Sequence, residues 1–118
     1  MIVIILVLML SVPSVRAEGE AQGYFNAAVR FYQKIDYDLA FEYLERARTL
    51  PHSADDLVLI ELYEGVMLAN LSEDEEAKRK FEAALRLNPW SQLPVAVSPK
   101  VRSQFESIRA QLTKEGNE

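Results

Sequence analysis

Apolar residues recur along most of this chain at spacings of three and four, the period of one face of an α-helix. The stretch EAKRKFEAALRLNP, residues 76–89, shows the pattern in short form. Ala77, Phe81 and Ala84 share a face, mostly polar residues hold the others, and Pro89 stops the run. Two alanines on such a face admit a second helix closely, and the phenyl ring between them fills the gap. Upstream, from about Ala21 to Lys34, the stripe is Tyr24, Ala27, Ala28 and Phe31. After Ile35 and Asp36 a second stripe runs through Tyr37, Ala40, Phe41, Leu44 and Ala47 until Pro51 ends it.

Ser53, with Asp56 three residues on, predicts a capping box in which aspartate replaces the usual Glu or Gln. The segment it opens, DLVLIELYEGVMLANL, is interrupted only by Glu61, Glu64, Gly65 and Asn70. A helix so apolar is predicted to be enclosed on most sides, with Glu61 and Glu64 as its exposed strip. Ser72 and Glu75 predict a second capping box at the head of the next helix. In EDEEAKRK, the pairs Asp74–Lys78, Glu75–Arg79 and Glu76–Lys80 are spaced i,i+4, acid before base. At about 0.2–0.5 kcal/mol each they read as a solvated helix face, not a binding site. The stretch LNPWSQLPVAVS has two prolines and no helical period, which makes 90–98 a linker. Ser98 then caps a last helix, about 99–114, with Pro99 in its first turn and an apolar stripe at Val101, Phe105, Ile108 and Leu112.

Composition changes the picture at the N-terminus. Residues 2–10, IVIILVLML, form an unbroken apolar run, followed by Pro13 and small or branched residues at Val15 and Ala17. Residues 1–17 therefore read as a secretory signal peptide, cut after Ala17, and too short for a comfortable membrane span. No Lys or Arg precedes the run, so a retained segment anchoring the chain to the membrane, or a misassigned start codon, stands as the alternative. The expected location is exported, periplasmic or secreted. With 118 residues in all, the remainder, 18–118, suffices for a single modest domain.

The formal net charge is −5, and without residues 1–17, which include Arg16 and no acid, it is −6. An acidic chain with no basic stripe makes nucleic acid a poor partner. The absence of cysteine excludes disulfides, thiolate metal sites, a Cys nucleophile and a lipoprotein anchor. His52, the one histidine, sits in a Pro-His-Ser turn without partners for a metal site or a triad. Glu61 and Glu64 lie three apart and so resemble paired catalytic carboxylates, but the exposed-strip reading is stronger. Gly65 lacks the companion glycines of a phosphate-binding loop. These residues predict no enzyme, no cofactor and no metal.

The two helix pairs also repeat. Setting Ala40, Leu44 and Ala47 against Ala77, Phe81 and Ala84 gives a period of 37 residues, which sets Ala28 against Gly65 and Phe31 against Leu68. Here the chain resembles the tetratricopeptide repeat (TPR) family, whose helix–turn–helix unit of about 34 residues carries small residues at the helix contact, an alanine–aromatic–alanine series and a closing proline. The second unit, about 54–89, matches through Gly65, Ala77, Phe81, Ala84 and Pro89; the first, about 21–51, has Leu44 in place of the aromatic. The resemblance implies an all-α fold: two antiparallel helix hairpins stacked as a short solenoid, plus a C-terminal capping helix.

The resemblance further implies a binding surface on the concave face, lined by the first helix of each pair. By position that groove is Phe25, Val29 and Tyr32 from the first pair, with Leu59, Leu62, Tyr63 and Val66 from the second. The basic and asparagine residues that clamp a peptide carboxylate in some family members are absent at these positions, so an apolar, aromatic groove for a protein segment is the expected site. Three alternatives remain at this level: the groove filled by the chain's own LPVAV and last helix, a homo-oligomer formed through the same face, and a carrier enclosing an apolar small molecule. The leading expectation is a non-enzymatic, exported adaptor or subunit of an envelope complex.

Overall fold

Each expected helical stripe becomes a helix. The computed structural model describes residues 19–116, so the expected signal peptide, 1–17, and its cleavage site lie outside the described residues. Helix α1 covers 19–33, followed by α2 (Tyr37–Thr49), α3 (Ala54–Asn70), α4 (Asp74–Leu87) and α5 (Pro99–Gly116). The described chain is all-α. It falls into two compact units, one ending at His52 and one beginning at Ser53.

The first unit is the hairpin α1–α2. Tyr43 of α2 packs against Tyr24 and Phe31 of α1, with ring centroids 5.8 and 5.1 Å apart. The Arg46 guanidinium lies over the rings of both Tyr24 and Tyr43, at 5.7 and 5.1 Å, and covers the outer side of this cluster. Ala28, Ala40, Leu44 and Ala47 are buried, as their spacing requires.

The second unit holds the hairpin α3–α4 and α5. Phe81 of α4 lies close against the backbone of α3 at Gly65. A Cβ placed on Gly65 would stand 2.5 Å from Phe81 Cε1 and 2.7 Å from Cδ1. Glycine is therefore required by the close approach, since no larger residue leaves room for the ring. On its other side Phe81 meets Phe105 of α5 edge-on, centroids 5.3 Å apart and planes at 76°. Ala77, Phe81, Ala84 and Leu85 are all buried.

Both hairpin turns close in the same way. Ile35 and Ser72, one period of 37 residues apart, take φ values of 60° and 62°. In the first turn Ile35 N–H donates to Tyr32 O and Asp36 N–H to Phe31 O, each at 2.9 Å. In the second, Ser72 N–H donates to Ala69 O at 3.0 Å and Glu73 N–H to Leu68 O at 2.9 Å. This pair of bonds is the Schellman closure, with one left-handed residue just past the helix end. The internal repeat is thus carried by the backbone as well as by the apolar stripe. Glycine normally fills that position; here it is a serine and a β-branched isoleucine, and Ile35 is 75% exposed besides.

The turn geometry corrects one expectation. Ser53 does form its capping box, accepting from Asp56 N–H at 3.0 Å while Asp56 Oδ2 accepts from Ser53 N–H at 3.3 Å. Ser72 does not. The N-cap of α4 is Glu73, with no side-chain cap bond. An N-cap residue needs extended backbone to turn its oxygen onto the helix, and Ser72 is already committed to the left-handed turn that ends α3.

The ion pairs expected inside EDEEAKRK are also replaced. Lys78 lies 4.0 Å from Glu82, Arg79 lies 4.0 Å from Glu76, and Lys80 reaches across to α3. Ser98 caps α5 as expected, its Oγ accepting from Val101 N–H at 3.2 Å. Lys100 pairs with Asp74 at 3.8 Å and Glu115 with Arg86 at 3.9 Å, so α5 runs in the same direction as α4. The long connection 88–98 is what allows this, because a short turn would have reversed the chain.

Candidate interaction site

The seven residues expected to line a groove do not share one environment. Phe25, Val29 and Tyr32 on α1 are half-buried, and Tyr32 stacks on Tyr37 with centroids 5.9 Å apart and planes 7° from parallel. Of the four expected on α3, Leu59 alone is half-buried. Leu62, Tyr63 and Val66 are 1%, 8% and 0% exposed, so none of the three offers side-chain surface to a partner. The reason is local: α3 is apolar nearly all round, and a position chosen from its register alone falls inside. Burial also pushes the Tyr63 phenol above its ordinary value of 10.0.

Glu61 and Glu64 correct a second expectation. They are buried, at 7% exposed each, and not an outer strip. Lys80 of α4 stands 3.8 Å from Glu61 Oε2 and 3.6 Å from Glu64 Oε2, so one ammonium serves two carboxylates. The pull of these carboxylates takes Lys80 away from Glu76. No group of three or more His, Cys, Asp or Glu side chains able to hold a metal ion occurs among the described residues. None of their helices is long and apolar enough to cross a membrane.

An open apolar surface lies at the C-terminal end of α4. Trp90 is 84% exposed and Leu87 49%. Beside Trp90 a groove of about 570 Å³ runs between the end of α4 and the last turns of α5, walled by Leu85, Pro89, Trp90 and Leu112. Arg86 and Arg109 line it too, and Thr113 and Gly116 close its far end. A second, smaller cleft of about 250 Å³ between α4 and α5 has a polar rim that includes Asp74, Glu75, Lys78 and Gln104.

The turn that presents Trp90 is held firmly. Asn88 Oδ1 accepts from Trp90 N–H at 3.0 Å, and Ser91 Oγ donates to Asn88 O at 2.7 Å. The Arg109 guanidinium donates to the carbonyls of Pro89 and Ser91, accompanies Glu106 at 3.1 Å, and lies 5.0 Å over the Phe105 ring. The backbone that carries the indole is therefore braced, and the ring itself stands in solvent. The helical stripes gave no hint of this residue, because it belongs to none of them. The available signal was the chain's only tryptophan standing in a proline-flanked stretch with no helical period. Compared with known protein families, curated proteins and solved structures, the chain matches none.

Proposed function

We propose that the chain is a non-enzymatic, TPR-like protein-interaction module, exported to the periplasm or beyond, that binds a segment of another protein. The observation that carries this reading is Trp90, an 84%-exposed indole braced beside an apolar groove. Exposed aromatics of this kind are the anchors that dominate interface energies when a partner covers them. The 37-residue internal repeat, in stripe and in turn geometry, supports the TPR-like part of the reading. Export rests on the apolar run 2–10 and the small residues after it.

A carrier of an apolar small molecule is the second reading, since about 570 Å³ lies within the range of ligand pockets. Against it, a wall made by so exposed a residue leaves a ligand open to water, whereas such pockets bury most of their ligand.

The test is a crosslinking pulldown from the native host with tagged full-length chain and its Trp90→Ala variant, followed by N-terminal sequencing. One dominant partner, lost in the variant at unchanged melting temperature, and a chain beginning at Glu18 are expected. The same proteins captured by both chains would refute the site, and a small molecule released from the wild type in native mass spectrometry would favour the carrier.

A further inference from the structure

The groove beside Trp90 sets conditions on its occupant. Resting on the reading of this face as a partner-binding surface, we infer that it takes a short partner segment with one large apolar anchor and a carboxylate close to it. The anchor seats between Trp90 and Leu112, and the carboxylate meets Arg86.

Charge is the first argument. Two guanidinium groups line the groove and no carboxylate does, although the chain as a whole carries −5. The two arginines are not equivalent. Arg109 spends its donors on the Pro89 and Ser91 carbonyls and on Glu106, so it is a fixed wall. Arg86 is 62% exposed at its side chain, and its carboxylate neighbours Glu82 and Glu115 stand 4.0 and 3.9 Å away. Those distances are too long for hydrogen bonds. An incoming carboxylate would supply the two-pronged bond that Arg86 lacks.

Area is the second argument, and it separates a short segment from a second copy of the chain. Trp90 is the most exposed of the large apolar residues, at 84%, with Leu87 at 49% adding less. An indole of up to about 250 Å² and part of a leucine, doubled across two copies, reach at most the lower bound of the apolar share, a little over half, of a stable interface of roughly 1,200–2,000 Å². A groove of about 570 Å³ instead suits one large side chain and its neighbours.

Trp90 is the chain's only tryptophan, so its emission reports this site without background. The experiment titrates the full chain with short capped amphipathic peptides that share one leucine–phenylalanine anchor and differ only in Glu, Gln or Lys beside it. The expected result is a blue shift with all anchors that bind, and an affinity about tenfold higher for the Glu peptide than for the Gln peptide. That advantage disappears in Arg86→Gln, whose helix content by circular dichroism stays that of wild type, and shrinks at high salt. Equal affinity for the Glu and Gln peptides, or preference for Lys, overturns the carboxylate assignment and leaves the groove as a docking surface. No shift with any peptide overturns both. A shift that grows with protein concentration alone makes a second copy the occupant, and a shift on phosphatidylcholine vesicles makes it a lipid surface; either overturns the inference.

Discussion

Replacing Gly65 by alanine sets two physical effects of opposite sign against each other. In a helix interior alanine is favoured over glycine by about 1 kcal/mol, so propensity alone predicts a more stable protein. The tertiary contact predicts the reverse. The new methyl would stand 2.5 Å from Phe81 Cε1, 2.7 Å from Cδ1 and 3.2 Å from Cζ. Phe81 cannot swing away, being 1% exposed and held edge-on by Phe105 at 5.3 Å. Overpacking of this kind costs about 1–3 kcal/mol and more when the obstructed group is rigid. The expected net effect of Gly65→Ala is a loss of about 1–2 kcal/mol, or roughly 5–15 °C in melting temperature for a domain of this size.

A change at Phe81 relieves the same contact from the other side. Phe81→Leu alone opens a void and should also destabilise, by about 1–2 kcal/mol, while Phe81→Ala should cost about 3–5 kcal/mol. In the double variant the alanine methyl occupies the space that the ring has left. The two losses should therefore fail to add, with a favourable coupling of about 1–2 kcal/mol. Urea unfolding followed by far-ultraviolet circular dichroism, with unchanged slope among the four proteins, measures the cycle. A Gly65→Ala protein more stable than wild type, or strictly additive losses, would refute the account of this contact.

Three further outcomes follow from the turns and the buried phenol. Ile35 holds a left-handed backbone at φ 60° while 75% exposed; Ile35→Gly should raise stability by about 1 kcal/mol by relieving that strain, net of the entropy glycine adds to the unfolded chain. A destabilised variant in urea would mean that the isoleucine side chain packs in the native state. Ser53→Ala should cost about 1 kcal/mol through the lost cap, whereas Ser72→Ala, with no cap bond to lose, should melt close to wild type; equal losses would contradict the assigned roles. For Tyr63, burial raises the folded phenol above 10.0, so its contribution to stability is complete below that value and lost as pH rises past it. The fall in stability on moving to alkaline pH should be smaller in Tyr63→Phe than in wild type, and an identical fall would show that Tyr63 plays no part.

Much of the fold was legible because helices are written in local spacing. The stripes at Ala40, Leu44 and Ala47 and at Val101, Phe105 and Ile108, the caps at Ser53 and Ser98, and the stops near Pro51 and Pro89 all involve residues within about one turn of each other. The repeat of the stripes was legible for the same reason, whereas the two turns 37 residues apart that close alike were not, because Ser72 reads as a cap. The site was far less so. Register places Leu62, Tyr63 and Val66 on a groove face, yet they are buried, because register gives a face but not what covers it.

What the sequence determined by itself is therefore the set of helices and the inward stripes of those that are polar on one face, since those depend on groups at most four positions apart; α3, apolar nearly all round, left its own faces open. Tertiary structure decided the rest. It drew Lys80 from Glu76 to the buried Glu61 and Glu64, because two carboxylates enclosed in α3 attract a cation more strongly than one in water. It made Gly65 indispensable by laying Phe81 against its backbone. It set α5 alongside α4 in the same direction, and so opened at Trp90 a groove whose walls come from residues more than 20 positions apart. No local spacing records a wall built in that way; only the packing of one helix against another can.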